Sequence, residues 1–262
     1  MDKFRKYGQP PFPVVLLHGG PGAPGSMAPV ARRLSSEIGV IEPFQYADTI
    51  SGQVSELSGV IETEVHSEVI LVGYSWGAWL AIIFTSMYPG KVRKLVQLSC
   101  PPFTEEYADT IATSRAKRLS DVEKDEVLNL SVQLNSGGKV QKTAALARIG
   151  KIMETGDSYS LLPHPDDIIE YQPDIFVNVW SEAAQLRKSG RLLESVSKIT
   201  CPIVLIHGLQ DPHPLQGVIR PLSTLELDFR AHSLDKCGHT PWYENESSEL
   251  FYSILRKEIR KT

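Results

Sequence analysis

The stretch EVILVGYSWGAWLAIIFTSM, residues 68–87, narrows most what this chain can fold into. Val69 to Val72 is an apolar run with no polar alternation, which suits a strand covered on both faces, as in a parallel sheet. Gly73-Tyr74-Ser75-Trp76-Gly77 follows without a linker, and a helical pattern runs from Trp76 to Met87 before Tyr88-Pro89-Gly90 terminates it. A strand that becomes a helix this abruptly leaves Ser75 exposed at the tip of a tight turn, with room beside it only for small residues.

The same strand type recurs at residues 12–18, 39–43, 91–99, 201–207 and 226–234. Helical patterns fall between them at 26–36 and 52–65, and 245–261 closes the chain with basic residues in its last turns. Alternating strands and helices predict an α/β fold, a mostly parallel central sheet flanked by helices. Residues 101–200 break the rhythm. They run from Pro101-Pro102 to Thr200-Cys201-Pro202 and predict helices without strands: one opened by a Ser120/Glu123 capping box and reaching about Leu134, one over 140–154 and one over 173–188, with a loop at 156–165. The expected organisation is a core domain of residues 1–100 and 201–262 with a helical cap of residues 101–200 inserted in it.

At 262 residues, 42% apolar and 22% charged, the composition is that of a soluble globular chain. A net charge of −4 gives no basis for nucleic acid or an anionic membrane surface as partner. No apolar run extends beyond Ala78 to Thr85, far short of a bilayer span, and Pro10, Pro11 and Pro13 argue against a leader peptide. Cys100, Cys201 and Cys237 are odd in number and widely spaced, fitting neither a disulfide framework nor a zinc site, so a reducing, cytoplasmic setting is expected. Lys139, Lys142, Arg148 and Lys151 read as a solvated face of the cap.

A serine at such a turn becomes a nucleophile if the chain also supplies a base, a carboxylate to orient the base, and donors for an oxyanion. His18-Gly19-Gly20-Pro21-Gly22 ends the first predicted strand, where glycines let backbone N–H groups approach a substrate. Gly20 and Trp76 are the expected oxyanion donors, with Gly19 the alternative in the loop and His18 a brace. Asp211, in His207-Gly208-Leu209-Gln210-Asp211-Pro212, lies just past a buried strand and is preferred as orienter over Asp228 and Asp235. His239, after Cys237-Gly238, follows the last strand and is the expected base; His213 beside Asp211 is a candidate pocket residue.

This combination resembles the α/β-hydrolase superfamily over nearly the whole chain, including its Ser, Asp, His order. Within it, HGGPG and GYSWG resemble the proline iminopeptidase group. The resemblance implies Ser75, Asp211 and His239 as the triad and His18–Gly22 as the oxyanion loop. The chain departs from that group after the second strand, where those peptidases carry a D-Q-R-G type motif and this sequence reads EPFQYADT over residues 42–49.

The resemblance also implies cap carboxylates for a substrate amine, and Glu105, Glu106 and Glu182 are the candidates. Phe103 and Trp180 are candidate pocket walls, with Tyr159, Tyr171 and Phe176. The expected chemistry is acyl transfer to water with a small-molecule or short-peptide substrate and neither metal nor organic cofactor. Its object is a small ester, thioester, lactone or amide, or alternatively the N-terminal residue of a peptide. The alternative of another class is a non-catalytic protein that binds a small ligand on the same fold.

Overall fold

The computed structural model describes residues 2–261. Its single sheet has seven strands: β1 (Phe4–Tyr7), β2 (Val14–Leu17), β3 (Val40–Pro43), β4 (Val69–Tyr74), β5 (Val92–Leu98), β6 (Ile203–Gly208) and β7 (Phe229–Leu234), in the order β1-β3-β2-β4-β5-β6-β7. All neighbours are parallel except β1, which runs antiparallel to β3. The continuous apolar runs are buried on both faces, as their composition requires. Along β4, Val69 and Leu71 join the core under helices α2 (Ile50–Glu64) and α3 (Trp76–Met87). Ile70 and Val72 join the opposite core under α1 (Ala28–Leu34) and α10 (Ser248–Arg260).

Between β5 and β6 lie α4 (Glu105–Ala116), α5 (Asp121–Ser136), α6 (Lys139–Asp157), α7 (Pro173–Lys188) and α8 (Arg191–Val196). The Ser120/Glu123 capping box opens α5, with both of its hydrogen bonds present. One further helix, α9 (Gln216–Thr224), joins β6 to β7.

The sequence reading omitted β1, α4 and α8. Strand β1 is a four-residue edge strand reading FRKY, with Arg5 and Lys6 where an inner strand would be apolar. Helix α4 buries none of its residues, and its apolar face is made mostly of alanines, a weak periodic signal. Helix α8 has six residues, too few for two turns. Helix α6 also outruns its expected end by one turn, which brings Asp157 into the interior.

The loop from α6 to α7 is stitched to the core at two places. Leu162 N–H donates to Tyr243 O at 2.8 Å and Asn245 N–H to Ser160 O at 3.0 Å. On the other side, Gln172 N–H donates to Gly22 O at 2.8 Å and Ile169 N–H to Pro24 O at 2.9 Å. Gly22 has φ +73°, and a Cβ there would stand 2.4 Å from Gln172 O. This glycine of the HGGPG loop is therefore set by the approach of the helical segment, a constraint separate from any substrate.

Candidate active site

Ser75 is held between β4 and α3 at φ 51° and ψ −118°, a strained conformation for a residue with a Cβ. The flanking glycines are required by contact: a Cβ on Gly73 would lie 2.2 Å from Gly77 O, and one on Gly77 would lie 2.5 Å from Leu17 O. Ser75 N–H donates to Leu98 O at 3.0 Å, fixing the turn against β5. The side chain is thereby presented upward, where Ser75 Oγ stands 3.0 Å from His239 Nε2.

His239 Nδ1 is 2.7 Å from Asp211 Oδ2. Asp211 leaves β6 through a turn in which its N–H donates to Gly208 O at 3.2 Å. Gln210 laces this turn to the histidine loop: its N–H donates to Cys237 O, and its Oε1 accepts from Cys237 N–H, both at 2.9 Å. The structure thus brings Ser75, His239 and Asp211 into one hydrogen-bonded line.

Asp211 does more than the sequence indicates. Its other oxygen, Oδ1, accepts from both His213 N–H at 2.9 Å and His213 Nδ1 at 2.8 Å. His207 Nε2 lies 3.4 Å from Oδ2 and donates to His213 O at 2.8 Å. Burial works to raise the Asp211 carboxyl, but the facing His239, His213 and His207, with the His213 hydrogen bond, hold it well below its usual value. His213 itself is pushed down to about 4, by burial first and by adjacent His239 second. It is a neutral donor through Nδ1, its ring stacked on that of His239 at 4.2 Å. His213 faces the cavity as expected, but its polar contacts serve the carboxylate. Asp211, His213 and His239 also place possible metal-ligand atoms within 4.8 Å of one another, although both Nδ1 atoms are engaged on the carboxylate.

Of the oxyanion candidates, Trp76 follows Ser75 in the chain and Gly20 lines the cavity above it. Trp76 is the first residue of α3, so its N–H has no carbonyl one turn back. Gly20 has φ +53°, and a Cβ there would be in ordinary contact with Ala23 Cβ at 3.8 Å. Gly19 touches the elbow: a Cβ there would be 3.3 Å from Ser75 Cβ and 2.6 Å from the Tyr74 ring. His18 is fully buried, and burial pushes its pKa down to about 4, so it is neutral and donates from Nδ1 to Gly19 O at 2.8 Å.

A cavity of about 310 Å³ opens above Ser75, with Gly19, Gly20, His213 and His239 in its lining and Trp180, Phe176, Tyr171, Leu146 and Ile149 among its walls. Trp180 packs against both Trp76 and Trp79 at 5.9 Å between ring centroids. Of the other expected wall residues, Tyr159 is half exposed.

Four expected site residues lie elsewhere. Phe103 is buried in the core under α3, and its N–H donates to Gly217 O. Glu105 pairs with Arg187 at 2.8 Å at the start of α4, and Glu106 points to solvent. Glu182 accepts from Ile50 N–H at 2.9 Å, at the start of α2. Glutamates on helices find local cations and helix ends, and nothing in a single sequence shows which face they occupy.

The carboxylates that do line the cavity are Glu154, Asp157 and Asp166. Asp157 takes a bidentate pair from Arg115 Nε and Nη2 at 2.6 and 2.5 Å. Lys151 lies 3.3 Å from Glu154 and 3.9 Å from Asp166. Lys151 is itself solvent-exposed, and Lys142 and Arg148 pair outward with Asp174 and Glu126.

The sequence also gave no sign of Arg115, Asp157 or Glu244. Asp157 O accepts His239 N–H at 2.9 Å. Fully buried Glu244 accepts from Gly238 N–H, Tyr159 N–H and Ser160 N–H at 2.8, 2.9 and 2.7 Å. The histidine loop is therefore built partly from the helical segment.

Residues 14–251 match the model of the alpha/beta hydrolase family. The chain is 24% identical over 260 residues to a proline iminopeptidase of Heyndrickxia coagulans, covering 91% of this chain and 88% of that protein. Among solved structures, an esterase from Exiguobacterium antarcticum superposes with a TM-score of 0.69 at 20% identity, over 98% of this chain and 95% of that one. A thermophilic esterase from Thermogutta terrifontis, solved with malate bound, gives 0.66 at 16% identity over 98% and 92%. These structural likenesses are of fold. With a family match that spans β2 to α10 and a parallel sheet that lifts a serine on a strand-to-helix turn, the chain belongs to the alpha/beta hydrolase family.

Proposed function

We propose that the protein is a serine hydrolase that cleaves an uncharged, predominantly apolar ester, thioester or lactone through an acyl-enzyme. The observation that carries this reading is the line from Ser75 Oγ to His239 Nε2 at 3.0 Å and from His239 Nδ1 to Asp211 Oδ2 at 2.7 Å, on the floor of a cavity. Ser75 attacks the carbonyl carbon while His239 Nε2 takes its proton, and Asp211 holds the imidazole with its N–H on Nδ1 and stabilises the imidazolium. N–H groups of Gly20 and Trp76 receive the developing oxyanion, each contributing about 3 kcal/mol in the transition state. His239 then returns the proton to the leaving oxygen or sulfur. Water deacylates Ser75 by the same steps in reverse.

The ester reading over an aminopeptidase rests on the walls next to the serine, which are largely apolar. Asp157 is spent on Arg115, and Glu154 and Asp166 share Lys151, at 3.3 and 3.9 Å, which leaves a single carboxylate charge over. The test is kcat/KM for a short-chain nitrophenyl ester and for a prolyl anilide, each with Ser75→Ala as control. The expected outcome is turnover of the ester with negligible anilide cleavage, and loss of at least a thousandfold in Ser75→Ala. Preferred cleavage of the anilide would overturn the substrate assignment, and an undiminished Ser75→Ala rate would overturn the mechanism.

A further inference from the structure

A second, larger hollow lies beside the cavity over Ser75. It is a groove open to solvent, with a volume of about 1030 Å³, between α4, α5 and α7. Ile111 and Ala112 of α4, Val127 and Leu128 of α5 and Ala184 of α7 line it. Helix α4 buries none of its residues, and Leu128 is 67% exposed. These apolar side chains face a void where a packed helix pair would place core, and a ligand that covers them gains their burial.

The charged groups in this hollow are matched: Arg115 by Asp157, Arg187 by Glu105 and Lys124 by Asp121. No charge is left over to select an ionic ligand, so an apolar occupant fits it best. Arg115, Met153, Phe176 and Trp180 line both this hollow and the cavity over Ser75. Trp180 in turn packs on Trp76, the residue next to the serine. The two spaces adjoin along the wall nearest the expected oxyanion donor.

We infer that the hollow between α4, α5 and α7 receives the acyl chain of the substrate, which makes the preferred substrates esters of medium-chain fatty acids. This deepens the hydrolase reading above and rests on it. The cavity of about 310 Å³ over Ser75 accommodates the reacting ester, and the chain beyond its first carbons continues past Phe176 and Trp180 into the larger space.

The experiment compares kcat/KM for nitrophenyl acetate, nitrophenyl octanoate and octyl acetate. A fully buried methylene contributes about 0.8 kcal/mol, roughly fourfold in rate. If only half of the six added methylenes are buried, octanoate exceeds acetate about 60-fold. Ala112→Trp and Ala184→Trp fill the hollow without touching Ser75. Each is expected to lower the octanoate rate tenfold or more while leaving the acetate rate within twofold.

Equal rates on acetate and octanoate overturn the inference. So does an octanoate rate unchanged in both variants, shown to be folded by circular dichroism. A chain-length response confined to octyl acetate overturns it by placing the chain on the alcohol side. If no ester is turned over at all, the hydrolase reading has failed instead. Calorimetric titration of Ser75→Ala protein with 1-decanol then reads the hollow directly: binding lost in Ser75→Ala/Ala184→Trp supports an apolar-chain site, and absence of binding overturns it.

Discussion

His213 commits two donors, its N–H and its Nδ1, to one oxygen of Asp211 while His239 takes the other. With Oδ1 filled, the carboxylate cannot rotate without breaking charge-assisted bonds, so it presents Oδ2 to His239 in one orientation. The stacked rings add a second restraint on the imidazole that faces Ser75. In the proposed mechanism His213 is therefore a positioning residue that acts through Asp211. His213→Phe keeps a flat ring and the backbone donor but loses the Nδ1 bond, and a hydrogen bond to a charged group is worth about 1.5–3 kcal/mol. The expected result is a fall in kcat of about 10- to 100-fold with KM little changed, measured on a nitrophenyl ester. A raised KM with unchanged kcat would instead make His213 a substrate-binding residue, as its place in the sequence had indicated.

At the scale of elements, the site depends on a joint between the helical segment and the histidine loop. Glu244 gathers N–H groups from both sides of that joint, Tyr159 and Ser160 on one and Gly238 on the other. Glu244→Gln replaces one acceptor oxygen with an NH₂ that meets these donors head-on. Hydrogen exchange is expected to accelerate at the amides of residues 159, 160 and 238, with protection in β4 and β5 unchanged. Uniform loss of protection across the sheet would show that Glu244 supports the whole fold rather than the joint.

The contrast marks what was legible in the sequence. β4, α3 and α7 could be read because their apolar patterns and breakers are local, and the elbow because two glycines and a serine sit in one short run. Asp211 and His239 could be brought to Ser75 because parallel strands all end on the same side of the sheet. The bonds from Arg115 to Asp157 and from Tyr159 to Glu244 join residues 42 and 85 positions apart, across elements with no common periodicity. No pattern within either element announces the other. For the same reason the cavity carboxylates proved to be Glu154, Asp157 and Asp166 rather than Glu105, Glu106 and Glu182.

For the whole molecule, buried neutral histidines set the response to acid. Burial lowers His18 to about 4, and lowers His207 and His213 as well. In the unfolded chain each takes up a proton near pH 6.5, whereas folded His18 resists it until about pH 4. Between those values the unfolded state binds more protons, so stability is intact above pH 6.5 and declines as pH falls, by about 1.4 kcal/mol per pH unit for each such group. For His18 alone the full loss is on the order of 3 kcal/mol, a large part of a typical total of about 5–15 kcal/mol. His207 and His213 act in the same direction. Urea unfolding between pH 7 and 4 is expected to show steeply falling stability, and His18→Leu, which removes one titrating group, should flatten the slope by about one proton. A wild-type slope retained in His18→Leu would mean that the histidine beside the oxyanion loop already carries its charge in the folded protein.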